Sequence, residues 1–180
     1  MDIVSHALWT NILYLKARRH ALWGVACGIL PDIVSFGPLY LQLIFFPEDA
    51  PSIEWARRDA GQIPAYVFTL YDWSHSLVIF SGVLLAARVA ARRIWWPMFG
   101  WGFHVLIDMF THTSAFFPTP FLWPIADAHD TSIDAVSWSH PIFIAANVSA
   151  LVVAYIALFV LHRRSTMGGP SASRTYDKTH

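Results

Sequence analysis

The chain has 180 residues, 56% of them hydrophobic, with nine Trp, thirteen Phe and only 13% charged. That is one domain's length with a poor water-facing surface, and a membrane location explains such a composition better than a large dry core does. Twelve basic and twelve acidic side chains cancel, which excludes a broad basic face for nucleic acid and an acidic tail, and the lone Cys27 excludes an internal disulfide and a Cys-rich zinc knuckle.

In chain order, Ile3 to Ala17 is apolar enough for a first helix, with Asn11 and Lys16 making it interfacial or protein-covered and Arg18 and Arg19 closing it. No basic region precedes it, so no cleaved signal peptide is expected. Ala21 to Leu30 reads as a return helix stopped near Pro31, and Val34 to Phe46 as a second helical piece, since proline lacks an N–H and restricts the residue before it. Pro47 to Gly61 suits an exposed loop or a short surface helix. Gln62 to Tyr71 leads to Ser74, a candidate cap for the apolar run Leu77 to Ala91. Arg92 and Arg93 then separate that run from Ile94 to Phe110, which suggests a tight helical hairpin. Phe116 to Trp138 mixes prolines, aspartates and aromatics as a structured loop, and Pro141 to Leu161 is the clearest span, about 20 apolar residues being enough to cross the hydrocarbon layer. The predicted fold class is therefore all-α, a polytopic membrane helical bundle with short or broken helices around a polar metal site over residues 1–164, followed by a flexible tail over residues 165–180.

Seven potential metal ligands lie in or beside these apolar runs: His6, Asp32, His75, His104, Asp108, His112 and His140. A bare carboxylate in such surroundings costs several kcal/mol unless paired, protonated or coordinated. His104, Asp108 and His112 recur at four-residue spacing, so one helical face can present all three. The other residues admit plainer readings: a capping or hydrogen-bonded His75, an N-capping Asp32, an interfacial His6 and loop histidines at His129 and His140. The arginine pairs 18–19, 92–93 and 163–164 fall at helix ends that the positive-inside rule places in the cytoplasm. Following the helices from there sends the candidate ligands toward the extracytoplasmic end.

Nitrogen and oxygen donors without cysteine fit a catalytic divalent transition metal, one or two Zn²⁺ first, Mn²⁺ or Fe²⁺ next. No G-x-S-x-G elbow, Walker loop, H-E-x-x-H helix or G-x-G-x-x-G turn occurs, which leaves metal-activated water as the nucleophile. In that scheme Asp32 or Asp108 holds the metal, and His112 or His140, outside the metal's own ligands, assists proton transfer or clamps the product.

The pattern D-x-x-x-H at Asp2 to His6, G-x-x-P-D at Gly28 to Asp32, S-H-S-L at Ser74 to Leu77, H-x-x-x-D-x-x-T-H at His104 to His112 and the pair Trp123-Pro124 resembles the YdjM-like (DUF457) family of predicted membrane-bound metal-dependent hydrolases. The likeness runs across roughly residues 1 to 138. It implies His6, Asp32, His75, His104 and Asp108 as the metal ligands, and a remote similarity to the zinc-dependent phospholipase C and P1 nuclease group implies phosphoester cleavage. Val34 stands where family members often carry a second Asp, and Leu70-Tyr71 where they often carry a His-Arg pair. The expected function is a metallohydrolase of the cell (inner) membrane acting on a lipid-linked or amphiphilic phosphoester, with the bilayer as partner and no nucleic acid. The alternatives are a non-enzymatic membrane protein braced by a metal cluster and a metal or proton transporter.

Overall fold

The computed structural model describes residues 1–46, 48, 63–114, 117–131, 133 and 136–167, and these are helical with no strand among them. Their helices are α1 (Ile3–Leu13), α2 (Arg18–Phe45), α3 (Ala65–Ser74), α4 (Leu77–Ala91), α5 (Phe99–Asp108), the single turn α6 (Ala128–Thr131) and α7 (Pro141–Met167). A 3₁₀ turn, Trp96–Met98, leads into α5. The chain divides into two compact units, Met1–Ile144 and Ala145–His180. The loop expected over 47–61 and the tail beyond 167 lie outside the described residues, apart from position 48.

Two helices are long and apolar enough to cross a membrane, Arg18–Phe45 and Pro141–Arg164. At 1.5 Å per residue the first is about 42 Å long and the second about 36 Å, both more than the hydrocarbon thickness. A third span exists if α3 and α4, bent by 56° at their junction, are one broken span.

α2 corrects the expectation of a break at Pro31. The helix runs unbroken through Pro31 and Pro38, and the Ser35 hydroxyl donates to the Pro31 carbonyl at 2.8 Å. The bond that Pro31 removes is the one to the Cys27 carbonyl, which Ser35 does not restore; support at that turn comes from another helix, His104 Nδ1 donating to the adjacent Gly28 carbonyl at 2.7 Å. Arg18 and Arg19 likewise open α2 instead of closing α1, which ends at Leu13. The cap of α4 is Ser76, whose Oγ accepts from Val78 N and Ile79 N, both at 3.1 Å, while Ser74 is the last residue of α3. α4 itself occupies Leu77–Ala91 as expected, and Arg92 ends it in the left-handed conformation at φ 54°.

Glycines set how closely the helices approach. Gly24 and Gly28 lie one turn apart on α2, where an added Cβ would meet the Tyr14 ring and the Thr10 side chain of the α1 segment. A Cβ at Gly100 of α5 would collide with the carbonyl oxygen of Gly24 and stand 3.0 Å from Gly28 N. Small residues at helix contacts, the usual device in membranes, thus bring α1 and α5 onto α2. Tyr14 completes the corner by donating to Trp96 O at 2.7 Å and Pro97 O at 3.2 Å, which joins the α1–α2 turn to the start of α5.

The apolar core lies at the other end of this unit. Leu39 of α2, Ile63, Val67 and Tyr71 at α3, and Phe117 form its buried cluster, with Phe36, Leu43 and Phe68 packed against it. Ser76 Oγ donates to Trp123 O, and Leu77 N donates to Phe121 O at 3.0 Å. The aromatic loop therefore clamps the α3–α4 kink.

Candidate metal centre

His75 sits in that kink, as the C-cap residue that follows α3. Asp32 projects from the middle of α2, and His104 and Asp108 stand one turn apart on α5. One donor atom from each of these four residues lies within 4.8 Å of all the others. His75, His104 and Asp108 are fully buried, while the Asp32 side chain keeps 14% of its exposure.

The hydrogen bonds around the cluster decide what it is suited to hold. His104 Nδ1 is 2.7 Å from the carbonyl oxygen of Gly28, and a carbonyl only accepts, so Nδ1 carries the proton and Nε2 presents a lone pair. The His75 tautomer is set by two serines. The single proton of Ser35 goes to Pro31 O, so in the Ser74–Ser35 contact of 2.8 Å Ser74 is the donor, and Ser74 Oγ then accepts from His75 Nδ1 at 2.9 Å. This relay leaves His75 Nε2 bare as well. The two bare nitrogens face each other at 3.1 Å.

Asp108 adds a third acceptor. Its Oδ1 receives the Met1 amine, His6 Nε2 at 2.9 Å and Thr111 Oγ1 at 3.4 Å. Its Oδ2 is buried without a hydrogen-bond partner, 3.2 Å from His104 Nε2 and 3.6 Å from His75 Nε2. Asp32 Oδ1 lies 3.7 Å from both imidazoles. Lone pairs and carboxylate oxygens converging in a buried space repel unless a cation lies among them. The donor set, two neutral imidazoles oriented through their far nitrogens and two carboxylates, fits a divalent transition metal.

The other sequence candidates occupy different places. His6 is buried, stacked on the His104 ring with centroids 3.6 Å apart, and its Nε2 points to Asp108 Oδ1. In this geometry it orients Asp108 instead of joining the four-donor group. The expected three-step ladder on one helix is shortened, because α5 ends at Asp108. His112 follows on a turn closed by its own N–H to Asp108 O at 3.1 Å, which keeps its Nδ1 3.7 Å from Asp108 Oδ1 and 3.3 Å from Thr119 Oγ1. Burial above all holds the His112 imidazole down at about 3, against the pull of Asp108, so the ring is neutral. His140 is exposed, and its Nδ1 accepts from Ile142 N at 3.3 Å, capping α7. The structure does not bring it to the cluster. The side chain of His129 lies outside what is described.

A cavity of about 340 Å³ opens beside the cluster, with Asp32 and His112 among its polar lining and Phe36, Leu39, Phe117 and Trp138 among its apolar walls. Sequence reasoning did not find Ser35, Ser74, the Gly28 carbonyl or Thr119, all of which orient ring nitrogens. The spacing Gly24-x-x-x-Gly28 was the available signal that this face of α2 meets another helix closely.

The Ser35–Ser74 relay makes a specific prediction. Ser35→Ala removes the acceptor for Ser74 and loosens the hold on His75, whose Nδ1 then relies on the longer contact to the Tyr71 carbonyl at 3.3 Å, and loss of such an orienting partner typically lowers metal affinity about 10–100-fold. Competition with a fluorescent chelator measures this, and unchanged affinity would contradict the assigned relay.

No protein-family model matches this sequence, and comparison with curated proteins and with solved structures finds no match either.

Proposed function

We propose that this chain is a membrane-embedded metal-dependent hydrolase that cleaves a phosphoester in a lipid-linked or membrane-proximal substrate. The observation that carries the reading is the four-donor cluster of Asp32, His75, His104 and Asp108 at the edge of an apolar-walled cavity. Burial alone would suit a structural ion, but Asp32 and the neighbouring His112 both line the open cavity. The resemblance of the His and Asp motifs to the YdjM-like family supports the same chemistry by analogy.

A divalent cation held there, Zn²⁺ first, supplies Lewis acidity to a phosphoryl oxygen and lowers the pKa of bound water. The chain's own residues do the rest. Asp108 is fixed through Oδ1 by His6 and the Met1 amine, so Oδ2 stays aimed at the centre. Asp32 closes the side facing the cavity. His112 is outside the four-donor group and on the cavity wall beside Thr119, which places its neutral ring to hydrogen-bond and clamp the product. The aromatic and aliphatic walls favour a substrate with an apolar portion, and α2, a candidate span that lines the cavity through Asp32, Phe36 and Leu39, supports access for bilayer amphiphiles.

Hydrolysis of a long-chain alkyl p-nitrophenyl phosphodiester in mixed micelles, compared with its ethyl homologue, tests the reading. The long-chain substrate should turn over faster, activity should vanish with chelator and return with Zn²⁺, and His112→Ala should lower turnover with metal content unchanged. A second reading has its own support, since the four donors come from two different helices, α2 and α5, and the α3–α4 kink, an arrangement in which an ion braces the fold. Full metal occupancy with no hydrolysis above an Asp108→Ala control on either substrate would favour it.

The orientation proposed is an inner-membrane one with the arginine turns in the cytoplasm and the metal centre toward the other compartment. Arg18, Arg19, Arg92 and Arg93 supply the positive-inside signal. Single cysteines at Arg92 and Asp130 in a Cys27→Ala background, probed with an impermeant thiol reagent on intact cells, should label at 130 and not at 92. The opposite pattern reverses the orientation.

A further inference from the structure

A cavity of about 1050 Å³ lies apart from the metal centre. α5 separates the two. Along that helix Gly100, His104 and Asp108 follow the cluster side, whereas Phe99, Gly102, Phe103 and Leu106 line the cavity. Leu77 and Phe80 of α4 form the facing wall, and Leu13 with Trp96 closes the upper end. At that end the lining changes character abruptly: Lys16, Arg18 and Arg19, with His20, make up the α1–α2 turn. Lys16, Arg18 and Arg19 are exposed, and no carboxylate pairs with them among the described residues.

A second observation places this basic end at the level of lipid headgroups. Trp23, Trp95 and Trp96 are all about half exposed beside it, at 59%, 47% and 55%, and the Tyr14 hydrogen bonds tie the Trp96 turn to the Lys16–Arg19 turn. Exposed tryptophans next to a run of cations are the mark of a membrane–water interface. From that level the α5 wall from Phe99 to Leu106 extends about 10 Å toward the hydrocarbon, at 1.5 Å per residue.

From this combination we propose that the groove between α1, α4 and α5 is a binding site for an anionic phospholipid, with the headgroup phosphate on Lys16, Arg18 and Arg19 and an acyl chain along the Phe80, Phe99, Phe103 and Leu106 wall. Arg19 Nε donates to His20 Nε2 at 3.0 Å, but no carboxylate among the described residues offsets the three cations, so a phosphate completes their charge, and the apolar wall below them offers nothing to a soluble anion. A zwitterionic lipid carries its own cation beside the phosphate and gains less from the same turn. The site is independent of the metal chemistry, because its residues lie on the opposite face of α5 from His104 and Asp108.

Native mass spectrometry of the detergent-solubilised full chain tests this, with phosphatidylglycerol and phosphatidylcholine of matched acyl chains added in parallel. The wild-type protein should retain phosphatidylglycerol about tenfold better than phosphatidylcholine, and Lys16→Gln, Arg18→Gln and Arg19→Gln together should bring the ratio to about one. Leu106→Trp, which fills the groove and leaves the basic turn intact, should abolish the retained phosphatidylglycerol. Circular dichroism matching the wild type shows that both variants are folded. Millimolar glycerol phosphate should fail to displace the bound lipid. Equal retention of the two lipids, an undiminished preference in the triple variant, undiminished binding in Leu106→Trp, or displacement by glycerol phosphate each overturns the proposal.

Discussion

Asp108→Ala is expected to empty the metal centre and to cost about 3–5 kcal/mol of stability, the usual effect of removing one member of a buried charged set. Asp108 Oδ1 is the shared acceptor for the Met1 amine and His6, and Oδ2 completes the donor group with His75 and His104. Without it, the amine and the His6 N–H lose their buried acceptor together. Elemental analysis should show metal content falling from about one ion per chain to background, and thermal unfolding followed by circular dichroism should show the lowered midpoint. Wild-type stability in a metal-free Asp108→Ala protein would mean that the carboxylate is not the hub described above. Asp108→Asn separates charge from shape: it should also lose metal, with a smaller fall in stability.

The second large effect is expected far from any ligand. Gly100→Ala adds one methyl group where the backbone of α2 already lies in contact, against the Gly24 carbonyl and Gly28 N. Backbone yields less readily than a side chain, so the cost should reach about 3 kcal/mol, the upper end for overpacking. A separation of α5 from α2 also lengthens the His104 Nδ1 to Gly28 O hydrogen bond of 2.7 Å, which releases the tautomer of a candidate metal ligand. Metal affinity should therefore fall along with stability. Gly82→Ala is the control, since nothing lies within 4 Å of a Cβ there, and on the interior of α4 it should be neutral or slightly stabilising. A Gly100→Ala protein as stable as the Gly82→Ala protein would show that the close helix contact is not as tight as described.

Much of this arrangement was legible because the signals were local. The extent of α4 followed from the apolar run Leu77 to Ala91 and from Arg92 and Arg93, although its cap is Ser76 and not the expected Ser74, and the one-turn spacing of His104 and Asp108 placed both on one face of a helix. What was misread depended on tertiary context. Pro31 is a helix breaker in isolation, but α2 continues through it where α1 and α5 pack closely against Gly24 and Gly28 and His104 donates to the Gly28 carbonyl. The apolar stretch from Ile94 to Phe110 looked like one long helix, yet Pro97 sets a 3₁₀ turn and α5 begins only at Phe99. His140 shared its residue type with the ligands but not their burial, and capping α7 accounts for it. The relay from His75 through Ser74 and Ser35 to Pro31 O joins two helices distant in sequence. No periodicity could have announced it.

The central claim is that Asp32, His75, His104 and Asp108 hold a divalent transition metal. X-ray absorption at the zinc edge, on protein purified without chelator and reloaded with one equivalent of Zn²⁺, tests it most directly. The predicted spectrum has nitrogen and oxygen neighbours at about 2.0–2.2 Å, with the outer-shell scattering of two imidazoles and no sulfur. In His104→Ala the imidazole contribution should halve or the metal should be lost. Zinc that stays fully hydrated, or that keeps its full imidazole scattering in the His75→Ala, His104→Ala double variant, would contradict the account.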